Sequence, residues 1–133
     1  MMVKPDGTER CLSGKILARV EESGFKVRGL KLMRITGERA REFYAVHEGK
    51  PFLDELVEFM SSGPVLALAL EKDNAIADMR KFVGATDPAE ADCGTIRADW
   101  GLDKGKNTVH ASDSVENGNL EVAFFFTQEE LVG

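Results

Sequence analysis

The sequence predicts an α+β fold, an antiparallel sheet backed by helices, and three observations carry that reading. Val65 to Leu70 is an unbroken apolar run, the pattern of a central strand covered on both faces. Phe25 to Ile35 reads as a long strand. Around these two lie segments whose apolar residues recur at helical spacing. At 133 residues, the length suits a single domain over 1–133 with a sizeable core and is too short for two.

Taken in order, Met1 to Lys4 reads as a short strand stopped by the turn cluster Pro5-Asp6-Gly7. Ser13 caps a helix from Gly14 to about Glu22, with an apolar face of Leu12, Ile16, Leu17 and Val20, and Gly24 ends it. The alternation of Phe25 to Ile35 changes parity near Gly29, the signature of a bulge. Thr36 caps a second helix, roughly Glu38 to Val46. A third, about Phe52 to Met60, runs until Gly63-Pro64 breaks it. After the central strand, Asn74 to Val83 returns to helical period through Ile76, Met79, Phe82 and Val83.

Gly84 to Lys106 is long and irregular, and a loop of that length in a compact domain is usually functional. A short strand at Thr108 to His110 and a last helix from about Ser114 to Phe125 close the chain. This order is that of a ferredoxin-like βαββαβ sheet with helices on one face, an inserted helical pair and a long loop before the last strand.

Composition narrows the function. Hydrophobic residues make up 43% and charged residues 30%, with a net charge of −6. That charge disfavours nonspecific binding to nucleic acid or anionic membranes. No apolar run is long enough to span a bilayer, and no basic-then-apolar leader opens the chain, so a cytoplasmic protein is expected. Cys11 and Cys93 lack the CxxC spacing of a zinc site and form no disulfide framework; they read as small apolar fillers. His47 reads as a surface residue.

The densest chemical signal is Asn107-Thr-Val-His110-Ala-Ser112-Asp113-Ser114. A histidine ends an apolar strand, and a hydroxyl follows two residues on. Strand side chains alternate between faces, so His110 and Ser112 point the same way. A presented imidazole beside a hydrogen-bonding group is how a histidine nucleophile is held; a structural histidine is the alternative.

These residues, with others in order along nearly the whole chain, are similar to the nucleoside diphosphate kinase family. The matching blocks are Val3-Lys4-Pro5-Asp6-Gly7, Tyr44, Lys50-Pro51-Phe52, Ser62-Gly63-Pro64-Val65, Val83-Gly84-Ala85-Thr86, Pro88-Ala89, Gly94-Thr95-Ile96-Arg97, and Asn107 to Ser114 followed by Glu116 and Glu121. The resemblance implies ping-pong transfer of a γ-phosphoryl group from a nucleoside triphosphate to a histidine and on to a nucleoside diphosphate. ATP, GTP, ADP, GDP and related nucleotides are the implied substrates, and Mg²⁺ the implied cofactor, carried on their phosphates. A homohexamer is expected, with a homotetramer as the alternative, and the Gly84–Lys106 loop matches the segment at its three-fold contact.

The same resemblance assigns roles. His110 is the phosphorylated histidine, Glu121 the carboxylate that orients it, and Ser112 the serine beside it. Lys4, Arg80 and Arg97 bind phosphate, with Thr86 as a hydroxyl donor. Tyr44 positions phosphate near the histidine, Phe52 stacks on the base, and Asn107 and Lys4 contact the sugar. Read without the family, Tyr44 and Phe52 are equally core aromatics, and Glu121 is a surface helix charge. Asp113 has either an indirect metal role or a helix cap.

The chain also departs from the family pattern. Only Met1 to Val3 precede Lys4, so the first strand is short. Cys11 stands where glycine is common, and Lys104 stands where an apolar residue usually faces the base. Asn117-Gly118-Asn119 places poor helix formers in the last helix, just before Glu121. These departures supply the alternative function, a catalytically weakened nucleotide-binding or interaction protein on the same fold. An unrelated ferredoxin-like regulatory module would give His110 no special role.

Overall fold

The sheet is built from β1 (Met2–Val3), β2 (Lys26–Met33), β3 (Val65–Glu71) and β4 (Val109–His110), in the order β2-β3-β1-β4 with every neighbouring pair antiparallel. The computed structural model describes residues 1–133. This order is the ferredoxin-like arrangement, with the first strand between the third and fourth. β1 has only two residues, yet it pairs on both edges: Met2 faces Ala67 and His110, and Val3 faces Leu66 and Val109. The register of β2 on β3 shifts between Val27 and Gly29, where the change of parity predicts a bulge.

β3 shows why its sequence is apolar throughout. Leu66 and Leu68 enter one core with Val3 and Val109, while Val65, Ala67 and Ala69 enter another with Met2. The crossover helices α2 (Ser13–Glu22) and α5 (Ala75–Val83) cover the first face through Ile16, Val20, Met79 and Val83. The inserted pair, α3 (Gly37–Phe43) and α4 (Leu53–Met60), covers the other through Ala40, Leu53, Val57 and Met60. The final helix, α7 (Val115–Phe125), adds Phe125 to that second core.

Several local expectations change. Pro5-Asp6-Gly7 is not a turn but the start of a helix, α1 (Pro5–Glu9). Proline suits the first helical position because its missing N–H would have no partner there. Gly7 is needed for closeness: a Cβ would lie 2.7 Å from Val3 Cγ1. Ser13 caps nothing, because Leu12 is already helical at φ −92°, ψ −9°. Thr36 does cap α3, its Oγ1 accepting from the Arg39 N–H at 3.1 Å.

The second helix stops at Phe43, and Ala45–His47 form a 3₁₀ turn. The long Gly84–Lys106 segment holds a 3₁₀ turn at Pro88–Glu90 and a short helix, α6 (Ile96–Trp100), capped by Thr95. Both cysteines are exposed free thiols, not fillers. Cys11 has φ +59°, a left-handed conformation that favours glycine.

Candidate active site

His110 ends β4 and opens onto a cleft of about 1270 Å³. Its Nε2 lies 2.5 Å from Glu121 Oε1, and the same oxygen accepts from Ser112 Oγ at 3.0 Å. An ionised carboxylate only accepts, so the imidazole Nε2–H donates and Nδ1 keeps its lone pair. Burial pulls the His110 pKa below its ordinary 6.5 against the opposing pull of Glu121. Burial raises Glu121, but its bonds from His110 and Ser112 outweigh this and hold it below the usual range. The pair is therefore a neutral imidazole oriented by a carboxylate.

The aim of Glu121 depends on α7. Asn117, Gly118 and Asn119 do not interrupt this helix, which runs unbroken from Val115 to Phe125. Ser114 caps it by accepting from the Asn117 N–H at 3.0 Å, and Asn117 Nδ2 donates to Asp113 Oδ1 at 2.7 Å. The second asparagine bond is what Asp113 contributes; the cap itself is Ser114. Around the imidazole, Phe43 packs edge-on at 5.2 Å and Tyr44 at 6.2 Å between centroids. The Tyr44 hydroxyl is buried without a partner, and burial raises its pKa.

Cations gather beside His110 against the acidic average of the chain. Lys4 leaves β1 into the cleft, 7% exposed, and Nζ donates to Asn107 Oδ1 at 2.9 Å. Burial and the nearby Arg97 lower its pKa to about 8. Asn107 Nδ2 donates to the carbonyls of Thr86 and Lys104, both at 3.0 Å, so one amide joins three segments.

Arg97, on α6, donates from Nη1 to the Gly84 carbonyl and from Nη2 to the Val109 carbonyl, both at 2.9 Å. Its Nε is buried and unpartnered. Burial, then the neighbouring charge of Arg80, lowers its pKa. Arg80 itself is exposed on α5 and lines the same cleft, as does Thr86.

At the other end the cleft is apolar. Phe52, 47% exposed, stands with Leu56 and Phe59. His47 is not a plain surface residue: it is half-buried in the lining, its ring 6.1 Å from Tyr44 and 5.3 Å from Phe52. No spacing rule in the sequence marks it. Lys104 also lines the cleft, and Lys106 Nζ sits 5.9 Å from the Phe59 ring.

The residues expected from the sequence to handle the nucleotide all border this one cleft, except Glu121, which stands behind His110. No three His, Cys, Asp or Glu side chains converge as metal ligands. The donors fit anionic oxygens, so a divalent ion here fits as a partner of phosphate.

A neutral imidazole facing grouped cations, with an aromatic platform at the far end, defines the class: a nucleotide-dependent phosphotransferase on a ferredoxin-like sheet. Residues 1–131 match the family model described as nucleoside diphosphate kinase. The chain is 51% identical to the nucleoside diphosphate kinase of Persephonella marina over 132 residues, covering 99% of this chain and 94% of the relative. It is 53% identical to that of Chloroherpeton thalassium over 131 residues, covering 98% and 93%.

Among solved structures, the nucleoside diphosphate kinase of Aquifex aeolicus superposes with TM-score 0.96 at 50% identity, over 98% of this chain and 95% of that one. A halophilic nucleoside diphosphate kinase from Halobacterium salinarum, in complex with CDP, gives 0.94 at 47%, over 99% and 88%. The chain belongs to the nucleoside diphosphate kinase family.

Proposed function

We propose that this member of the family works through His110 as nucleophile, forming a phosphohistidine on Nδ1 that a nucleoside diphosphate then discharges. The observation that carries this reading is the 2.5 Å bond from Nε2 to Glu121, which leaves Nδ1 as the nitrogen with a free lone pair. Attack on the γ-phosphorus forms the N–P bond as the bond to the bridging oxygen breaks, and the nucleoside diphosphate leaves with that electron pair. The acceptor diphosphate reverses the step.

Phosphoryl transfer asks the protein chiefly for position and charge. Lys4, Arg97 and Arg80 hold the phosphates, Thr86 adds a hydroxyl, and the unpartnered Tyr44 hydroxyl supplies a donor near the reacting group. Phe52 offers a π-face to any base, which fits use of purine and pyrimidine nucleotides alike. Asn107 and Lys4 hold the sugar. Mg²⁺, carried by the nucleotide, neutralises phosphate charge when bound.

The proposed assembly is a homohexamer, with the Gly84–Lys106 segment at its three-fold contacts. Two free thiols fit a reducing cytoplasm, and no helix is long and apolar enough to cross a membrane. The unbroken α7 and the engaged Glu121 favour catalysis over a weakened binding role.

The test is incubation with γ-labelled ATP and Mg²⁺, followed by denaturing gels before and after mild acid. Acid-labile label on wild type, absent from His110→Gln and discharged by a nucleoside diphosphate, is the expected result. Nucleotide binding without label overturns it.

A further inference from the structure

Helix α1 follows directly on Lys4, and the Asp6 and Arg10 side chains at its two ends have no part in the roles above. The Asp6 side chain is 5% exposed, yet its Oδ1 has no partner. Arg10, one turn on, reaches in three directions. Nε donates to the Asp6 carbonyl at 2.9 Å, and Nη2 donates to the Trp100 carbonyl at 2.6 Å and to Thr108 Oγ1 at 3.3 Å. Asp6 Oδ2 is 3.5 Å from Nη2.

These contacts bear on the site. Trp100 closes α6, the helix that carries Arg97. Thr108 is fully buried with φ +77°, a conformation rare for a β-branched residue. It stands between Asn107 and β4, and its carbonyl accepts from the Lys4 N–H at 2.8 Å. Such backbone persists only where its surroundings over-determine it. One arginine links the segment presenting Arg97 to the segment presenting Asn107 and His110.

We infer that Asp6 and Arg10 are a pair of positioning residues for the phosphate-binding end of the cleft: Arg10 fixes α6 and the Thr108 turn, and Asp6 orients Arg10. The inference rests on the proposed roles of Lys4, Arg97, Asn107 and His110.

The charges facing Lys4 come from several elements. Arg97 on α6 disfavours its protonated form, while Asp6 on α1 and Asp103 in the turn before Asn107 favour it. Lys4 in turn disfavours the charged form of His110. Burial pushes the Asp6 carboxyl up, and Lys4 and Arg10 work against that. With Lys4 already down at about 8, removing the Asp6 charge moves it further down and leaves less cation for the phosphates.

The experiment measures steady-state kinetics from pH 6 to pH 9.5 on the full chain, with thermal melts alongside, for wild type, Asp6→Asn and Arg10→Lys. For Asp6→Asn the expected KM for the nucleoside diphosphate is within about twofold of wild type at pH 6.5 and roughly tenfold higher at pH 8, with the alkaline limb displaced to lower pH. For Arg10→Lys, which keeps the charge and loses the fork, kcat/KM falls about tenfold at every pH with the limb in place.

A lowered Tm in Asp6→Asn with an undisplaced limb overturns the proposal, as does wild-type kcat/KM in Arg10→Lys. Should Asp6→Asn fail to fold, Arg10→Lys alone decides. Labelling of His110 is read in the same preparations. Its absence from wild type overturns the underlying roles, whereas labelled wild type with an undisplaced limb in Asp6→Asn overturns the pair alone.

Discussion

Glu121 Oε1 holds His110 Nε2 at 2.5 Å while also accepting the Ser112 hydroxyl, so one carboxylate oxygen fixes both the tautomer and the tilt of the imidazole. Replacing Glu121 by Gln keeps the shape but allows the amide to face the ring with either end. The expected loss in kcat is about 10- to 100-fold, as for other partners that orient a working histidine. Ser112→Ala costs less, roughly severalfold, because the carboxylate remains. Single-turnover phosphorylation of His110 measures both.

Two of the perturbed groups in the cleft, His110 and Lys4, give a pH signature. Neutral His110 persists below its ordinary 6.5, so the acid limb of kcat/KM lies below that value. Lys4 loses its proton as pH rises through about 8, so kcat/KM falls there. Stability moves the other way. Between about 8 and its ordinary 10.5 the unfolded chain binds more protons at this lysine than the folded one does, so its contribution to stability grows with pH. Melts and kinetics across pH 7 to pH 10, compared with Lys4→Gln, test the opposition.

Arg97 spends two guanidinium nitrogens on the Gly84 and Val109 carbonyls, both at 2.9 Å. Lysine keeps the charge but cannot span both carbonyls while facing phosphate. Arg97→Lys should lower kcat/KM by about 100-fold and unfolding stability by about 1–2 kcal/mol. Kinetics and urea melts on one preparation separate the two effects.

Phe52 is half-exposed at the apolar end of the cleft, 5.3 Å from the His47 ring. Phe52→Ala should raise KM about tenfold for adenine, guanine, cytosine and uracil nucleotides alike, because stacking serves every base. A loss confined to one base would exclude stacking as its main role.

Gly84 has φ +88°, and a Cβ there would lie 2.5 Å from the Thr95 Oγ1 that caps α6. Gly84→Ala therefore combines a backbone conformation open essentially to glycine with a clash against the cap. It should cost about 3 kcal/mol. The Gly84 carbonyl also receives Arg97, so kcat/KM should fall with the melting temperature.

Much of this architecture is legible in the residues. The run Val65 to Leu70 identifies a strand covered on both faces because Leu66 and Leu68 fill one core and Ala67 and Ala69 the other. The parity change at Gly29 marks the bulge. Less legible is what tertiary contact decides. Pro5-Asp6-Gly7 reads as a turn by composition but opens a helix, with Pro5 at its first position and Gly7 passing close over Val3 and Thr108.

α7 contains three poor helix formers and still forms, with Ser114 capping its start and Phe125 anchored in the core. α6 is too short for its periodicity to show in the sequence. His47 enters the cleft lining through a 3₁₀ turn that no spacing rule announces. For the cleft, the ordered motif blocks point to residues that line it, while the pairing of Arg10 with Trp100 and Thr108 arises from contact between segments far apart in the chain, which no motif records.

The two-residue β1 has a consequence for biosynthesis. It places Lys4 beside Asn107, a partner more than a hundred positions later, and its own pairing with β4 sets His110 opposite Met2. A chain emerging from the ribosome presents Lys4 long before Glu121, so no nascent intermediate lacking α7 assembles the oriented histidine. Phosphotransfer by stalled chains of graded length should therefore appear only once α7 has emerged, which would make it a direct clock for the docking of that helix on the finished sheet.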